Sequence, residues 1–473
     1  MNAATDSTVE VDLAQSARGW PGYNTIWRWH FYAGLLCLPF IFWLPITGAI
    51  YLFKPQIEAW LDQPYEHLAV TGAPASPTAH VSAALAAVPG SVLHAYVLPR
   101  TPESAVRVLA GKGRELYRVY VHPQTLEILK LEREDQRLMR VIFHLHGELL
   151  LGSPGSMLVE LAASWAIVMI VTGLYLWWPR NARGLAGIFY PRMDRSGRTF
   201  WRDLHAVTGL WVSFFVLFLL LSGLPWAKFW GGTLKELRQV GSSALVRLDW
   251  TTGRSSELAE RLEKNTPLAV ASRHAGHQHG SSPGGPSQST PDYRALDRMV
   301  ATVQPMQLAP PALIAPPSKR SPSWTARSDA PNRTLHVDLV LDETNGNITS
   351  RRDFAQRPLL DRAIGIGVSA HEGQLFGWPN QALGLFTAVG LMLMAASSIV
   401  MWWRRRRPGA LGAPPAVRSG SRLAYSIIAT VVALGVLLPL FGISAIAVAA
   451  IDRWVLRRLP VVSRFLGLSH AVV

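Results

Sequence analysis

The sequence predicts an α-helical integral membrane bundle: four core spans arranged as two tandem repeats, a fifth C-terminal span, and two small α+β domains outside the cytoplasm. Three observations predict it. Five apolar stretches are long enough to cross a bilayer, which takes about 20 residues of helix. Hydrophobic residues make up 49% of the 473 and charged residues only 16%, which excludes a disordered chain and fits an ordinary cytosolic enzyme poorly. Four histidines also recur at matched places in two halves of the chain.

The elements follow in order. Residues 1–26 are polar and carry Asp6, Glu10 and Asp12, so they read as a cytoplasmic tail and not a signal peptide. The first span, 27–55, lacks a small-residue cleavage site and reads as a retained anchor. Residues 56–143 form the first outward domain. There an amphipathic stretch (79–88) precedes runs at 91–98, 105–109, 116–122 and 126–131, whose alternation around a turn at 123–125 predicts antiparallel strands. An outer histidine motif and the second span occupy 144–179, with Glu160 as the acid inside the span and the Trp177–Trp178 pair at its interfacial end. Residues 180–203 are an Arg-rich loop (Arg180, Arg183, Arg192, Arg195, Arg198, Arg202), and 204–228 are the third span.

The second outward domain, 229–370, predicts a helix at 293–303 and strands at 334–341 and 347–353. Its His/Gly/Ser/Pro-rich stretch (274–290) and residues 304–332 read as loop. A second histidine motif and the fourth span fill 371–403, ending on Trp402–Trp403, and a basic loop (404–422) follows. The fifth span is 423–452 and the tail is 453–473. Arginine in the two short loops marks them, and hence the N-terminus, as cytoplasmic in a bacterial inner membrane. One element resists: a single fifth span puts Arg453, Arg457 and Arg458 on the outer side, against the charge rule, yet around Pro439 the stretch is too short for two.

Net charge is +15, but the arginines cluster beside apolar stretches, which points to membrane lipid as the partner and not to nucleic acid. The one cysteine, Cys37, permits no intramolecular disulfide, and no C-x-x-C-H site offers covalent haem attachment.

Self-similarity carries the functional reading. His30 aligns with His205: Trp–Arg precedes each, glycine follows at +4 (Gly34, Gly209), and a hydroxyl–glycine pair at +17 and +18 (Thr47–Gly48, Ser222–Gly223). His146 aligns with His371: glycine at +6, proline at +8, a hydroxyl at +26 (Thr172, Ser397), the Trp pair at +31 and +32, and Arg at +34 (Arg180, Arg405). Each half is thus span, outward domain, span, with one histidine at each membrane face, and the halves share one orientation. An ionisable side chain at a bilayer demands an explanation. A lone histidine there is most often an interfacial hydrogen-bonding group. Four in matched register read instead as two axial pairs, His30 with His205 and His146 with His371, each holding a non-covalent haem b between imidazoles. His144 competes with His146, and the repeat register selects His146. The +4 glycines admit a flat ring or serve close helix packing. Thr47, Thr172 and Ser222 are expected to bond their own helix carbonyls. His274, His277 and His279 have spacing for a metal ion in a solvated linker, a weak signal. Arg404–Arg407 is chiefly a topology signal that also suits anionic lipid or an acidic electron donor.

Five stretches resemble the PepSY-associated transmembrane helix family: W-R-W-H-F-Y-A-G-L (27–35), H-G-E-L-L-L-G-S-P-G (146–155), T-G-L-Y-L-W-W-P-R (172–180), W-R-D-L-H-A-V-T-G (201–209) and H-E-G-Q-L-F-G (371–377). The resemblance covers about residues 20–408 and implies PepSY-like outward domains. Its iron-regulated inner-membrane and ferric-siderophore reductase branch implies haems on the four matched histidines. It also implies that these haems carry electrons outward to a periplasmic ferric chelate. No flavin or nicotinamide fingerprint is visible in the chain, so the cytoplasmic-side donor is expected to be a separate flavin, flavoprotein or quinol. The fifth span and the His-rich insert depart from the family's simplest pattern. The competing expectation is non-enzymatic: a membrane-anchored PepSY binding or inhibitory module, or a metal-handling scaffold.

Overall fold

The computed structural model describes residues 23–180, 184–241, 292–318, 321–414 and 425–468. They fall into two units, a helical one within 1–49, 146–245 and 384–473, and a sheet unit within 50–145 and 246–383.

In the chain, α1 (Tyr23–Leu52) and α2 (Lys54–Asp62) lead to α3 (Pro77–Ala87) and four strands: β1 (Val92–Val97), β2 (Val106–Lys112), β3 (Glu115–Val121) and β4 (Ile128–Arg133). Next come α4 (Leu138–Glu148), α5 (Ser153–Trp177), α6 (Gly197–Gly223) and α7 (Lys228–Gly241). The second run is α8 (Ala295–Val303), β5 (Ala312–Ala315), β6 (Trp324–Ser328), β7 (Val337–Leu341), β8 (Ile348–Asp353) and α9 (Leu359–His371). The chain closes with α10 (Trp378–Arg405), α11 (Tyr425–Leu437), α12 (Pro439–Trp454) and α13 (Pro460–Leu466).

The sheet unit departs from the expectation of two separate modules. All eight strands make one antiparallel sheet, ordered β4-β3-β2-β1-β5-β6-β7-β8. The two runs join where β1 pairs with β5 (Tyr96↔Ile314, Val97↔Leu313). β5 and β6 lie in a stretch read as loop. Prolines flank the four residues of β5, so no periodicity announces a strand, and pairing to β1 and β6 supplies it. Strand alternation sorts the two faces. Val106, Val108 and Ala110 point into a core shared with Val81 and Ala84 of α3 and Leu296, Met299 and Val303 of α8. Arg107 and Tyr120 do not join that core. Arg107 pairs with Asp62 at 3.2 Å and with Glu66, and Tyr120 donates to Asp62 at 2.9 Å, so charge ties α2 and the turn after it to the sheet.

In the helical unit, α1, α5, α6 with its extension to Trp226, and α10 are the four helices among the described residues that are long and apolar enough to cross a membrane. Their outward faces expose Phe214 (73%), Trp211, Val171 and Val389, as lipid contact requires. Glu160 is only 4% exposed in this apolar setting. Its carboxylate accepts the Phe229 and Trp230 N–H groups at 2.9 Å each, satisfying donors at the start of α7 that no intrahelical carbonyl reaches.

Residues 423–452 are not one span, which corrects the sequence reading. α11 has 13 residues and α12 has 16, about 20 and 24 Å, each shorter than a bilayer core of about 30 Å. Pro439 opens α12, and Gly442 lies against Gly435, where an added Cβ would meet the Gly435 carbonyl oxygen at 2.8 Å. The two ends of this region return to one side chain. Arg28 donates to the Pro414 carbonyl at 2.6 Å and to the Gly467 carbonyl at 3.0 Å, and Leu411 N–H donates to Phe465 O at 2.8 Å. Arg453, Arg457 and Arg458 therefore belong to a segment that comes back to the end it left.

Between α4 and α5 the chain turns through Leu149, Leu150 and Gly152, all at positive φ. Gly155 lets α5 start against the end of α4: a Cβ there would lie 1.7 Å from the Glu148 carbonyl oxygen. The corner after α9 is built differently. Asn380, at the matching offset, donates to Ala370 O at 2.9 Å and accepts from Leu375 N–H at 3.1 Å. Gly155→Ala should destabilise the protein by about 1–3 kcal/mol. Gly147→Ala, which meets nothing within 4 Å, should not. Thermal unfolding of the two detergent-solubilised variants checks this.

Candidate functional site

Three of the four matched histidines lie in the helical unit, and each has its Nδ1 atom held by its own half of the chain. His30 on α1 has Nδ1 3.0 Å from Thr172 Oγ1 on α5. The Thr172 hydroxyl carries one proton, and backbone acceptors sit at 2.8 Å (Val168 O) and 3.1 Å (Met169 O). With that proton on the backbone, Oγ1 accepts from the imidazole, so the His30 proton is on Nδ1 and the lone pair on Nε2. His146 repeats the arrangement: Nδ1 is 2.9 Å from Thr47 Oγ1, whose hydroxyl donates to Trp43 O at 3.0 Å. His205 reaches the same state more directly. Its Nδ1 is 3.0 Å from the Met394 carbonyl oxygen, which can only accept, with Ser397 Oγ at 3.3 Å.

Glycines make room for the rings. A Cβ on Gly173 would come within 3.1 Å of His30 Cε1, and one on Gly48 within 3.2 Å of His146 Cε1. The hydroxyl–glycine pairs are thus a unit: the hydroxyl orients the imidazole and the glycine seats it. Sequence reasoning found the Thr47–Gly48 pair and Thr172, though not Gly173, and assigned the threonines to their own helix carbonyls. The threonines make those bonds and also accept from a histidine. The fixed +17 and +26 offsets were the signal for the second role. The Met394 carbonyl had no such signal, since a backbone atom leaves no trace in residue type. The +4 glycines sit under methionine tips, Met169 Cε lying 3.6 Å from a Cβ on Gly34 and Met394 Cε 3.2 Å from one on Gly209.

The His30 and His205 rings come together, with centroids 6.4 Å apart and planes at 83°. Two imidazoles bound through Nε2 to one metal, with N–metal bonds of about 2.0–2.1 Å, hold their centroids about 6.3 Å apart. The 6.4 Å spacing and the engaged Nδ1 atoms fit a bis-imidazole group.

His371 belongs to the sheet unit, at the end of α9. The turn after it is pinned by Asn380 on Ala370 O and by Gln374, which donates to Leu52 O at 3.0 Å. His144 also belongs to the sheet unit, buried and edge-on to Phe143 at 5.6 Å. His274, His277 and His279 lie outside the described residues. Among the described residues no group of three or more His, Cys, Asp or Glu is placed to hold a metal ion.

The sequence matches the family described as PepSY-associated TM region over residues 27–405. A comparison with curated proteins finds no match. The matched stretch contains all four histidines and stops before α11.

Thr172→Val keeps the shape of the side chain and removes one acceptor of the His30 imidazole, leaving the Met169 backbone as its partner, at a cost of about 0.5–1.5 kcal/mol. Thr172→Ser should retain most of that stability. Denaturation midpoints of the two variants in detergent, compared with the unaltered protein, measure the difference.

Proposed function

The chain belongs to the PepSY-associated TM family, and from that premise we propose that it is a di-haem b-type electron-transfer protein of the bacterial inner membrane. The observation that supports this best is the His30–His205 pair: two imidazoles at the spacing of axial ligands, each with Nδ1 engaged by a residue of its own half. In this reading His30 and His205 hold one haem near the cytoplasmic face. His146 and His371, matched by repeat register, hold the other near the periplasmic face. A bound haem supplies a one-electron carrier, and two imidazole ligands leave it no open position for oxygen.

The protein's own part is to orient the ligands. Hydrogen bonds from Nδ1–H to Thr172, Thr47 and the Met394 carbonyl fix each ring and make Nε2 the more basic donor. Tandem halves of shared orientation, with the N-terminus cytoplasmic, put one histidine pair at each face. Returning α11 and α12 to their own side leaves Arg453, Arg457 and Arg458 with Arg404–Arg407, in accord with the rule that the single fifth span broke. Electrons enter from a cytoplasmic-side flavin, flavoprotein or quinol. They leave to a periplasmic acceptor such as a ferric siderophore, whose iron, once reduced, is held less firmly by hard oxygen ligands. The alternative, an anchored PepSY binding, inhibitory or metal-handling module, gives no use to three imidazoles set in one tautomer.

Purified full-length protein should carry two haems per chain with dithionite-reducible b-type bands. His30→Ala or His205→Ala should lose one haem, and His146→Ala or His371→Ala the other. Absence of b-type bands from the folded, unaltered protein refutes the proposal and favours the binding module.

A further inference from the structure

The inner ends of the spans are rich in arginine, and most of these side chains have evident work. Arg192 and Arg202 both pair with the buried Asp203 at 2.6 Å. Arg28 ties α1 to the Pro414 and Gly467 carbonyls. Arg404, Arg406 and Arg407 are exposed, and Arg406 lies over Trp402 and Trp403.

Arg405 differs from its neighbours. It alone of the four consecutive arginines is partly buried. Its guanidinium carbon lies 5.1 Å from the ring centres of both Trp27 and Phe31. Those two rings bracket His30 along α1, three residues before it and one after. Nε donates to the Gly412 carbonyl at 2.8 Å, which locks the planar group in place. No carboxylate pairs with it among the described residues. A guanidinium half-withdrawn from water, stacked on two aromatic faces and held by one nitrogen is preorganised for a planar anion, because its remaining N–H groups form a fork that matches a carboxylate. Arg180, at the same offset in the first copy, stacks on Tyr23 and Tyr175 at 5.2 and 4.8 Å but is exposed. The buried form of the device is therefore confined to Arg405.

We propose that Arg405 binds a propionate carboxylate of the haem held by His30 and His205, as a cofactor-positioning residue that sets that haem's rotation in its slot. The inference rests on the di-haem reading above and adds a carboxylate site to it.

The test titrates full-length apo-protein in detergent with haemin and with haemin dimethyl ester, whose propionates carry no charge. A His371→Ala background leaves only the inner site to fill. Arg405→Gln should weaken haemin binding about tenfold or more, the loss of a charge-assisted pair, and leave ester binding unchanged. Arg405→Lys should recover part of the loss. Equal weakening for haemin and ester assigns Arg405 a structural role and overturns the proposal, as does no weakening of either. Should the His371→Ala background fail to fold, redox titration of membranes with an otherwise unaltered sequence serves in its place. Arg405→Gln should then lower the midpoint of one haem and not the other, because a removed cation favours the oxidised form. An unmoved pair of midpoints overturns the proposal. Failure of the unaltered protein to bind haemin at all strikes the di-haem reading itself and is told apart by that control.

Discussion

A neutral imidazole has one proton and two nitrogens, and the remainder of this site depends on where that proton goes. Within the bundle there is little water to share the decision. The proton is settled by an acceptor placed on a neighbouring helix: Thr172 for His30, Thr47 for His146, the Met394 carbonyl for His205. Each threonine acts as acceptor because its own hydroxyl proton is already on the helix backbone. The choice leaves Nε2 as the lone-pair atom in all three rings, which suits a metal ligand. It also explains the crossing pattern in the first half of the chain. The first helix orients the histidine that precedes the second membrane helix, and that helix orients the histidine of the first. Neither ring is set by its own helix, so the site forms only when the helices have packed.

Much of this was legible in the chain. The four long helices follow from length and apolarity, which any bilayer-spanning segment must show. Strands β1 to β4 and β7 to β8 follow from alternation, since one face of the sheet packs on α3 and α8. The repeat offsets located the histidines, hydroxyls and glycines before any coordinates. What escaped the sequence depends on partners far away in it. β5 is four residues between prolines and becomes a strand because β1 and β6 flank it. Two modules read as separate share one sheet because two residue pairs join them. Thr172 was seen as satisfying its own helix, and its second bond required knowing which ring stands opposite.

The C-terminal region shows how composition misleads. Apolar count alone makes 423–452 a span, and the charge rule then fails at Arg453, Arg457 and Arg458. Pro439 breaks the helix, the contact of Gly442 on Gly435 brings the two pieces together, and Arg28 gathers Pro414 and Gly467. The arginines drew attention to a stretch that is two short helices and not one. The segment also lies beyond the family match, and it docks on the N-terminal end of α1 through Arg28 and Tyr32.

The central claim is that His30 and His205 together ligate one iron. Their planes stand at 83°, and perpendicular axial imidazoles leave two iron d orbitals nearly equal in energy. Electron paramagnetic resonance of the oxidised, full-length protein at low temperature reads this directly. The account predicts a highly anisotropic low-spin ferric signal that disappears in a His205→Ala variant. The outer haem's low-spin signal remains in that variant. A purely high-spin signal, or a highly anisotropic signal of unchanged shape and intensity in the variant, contradicts the account.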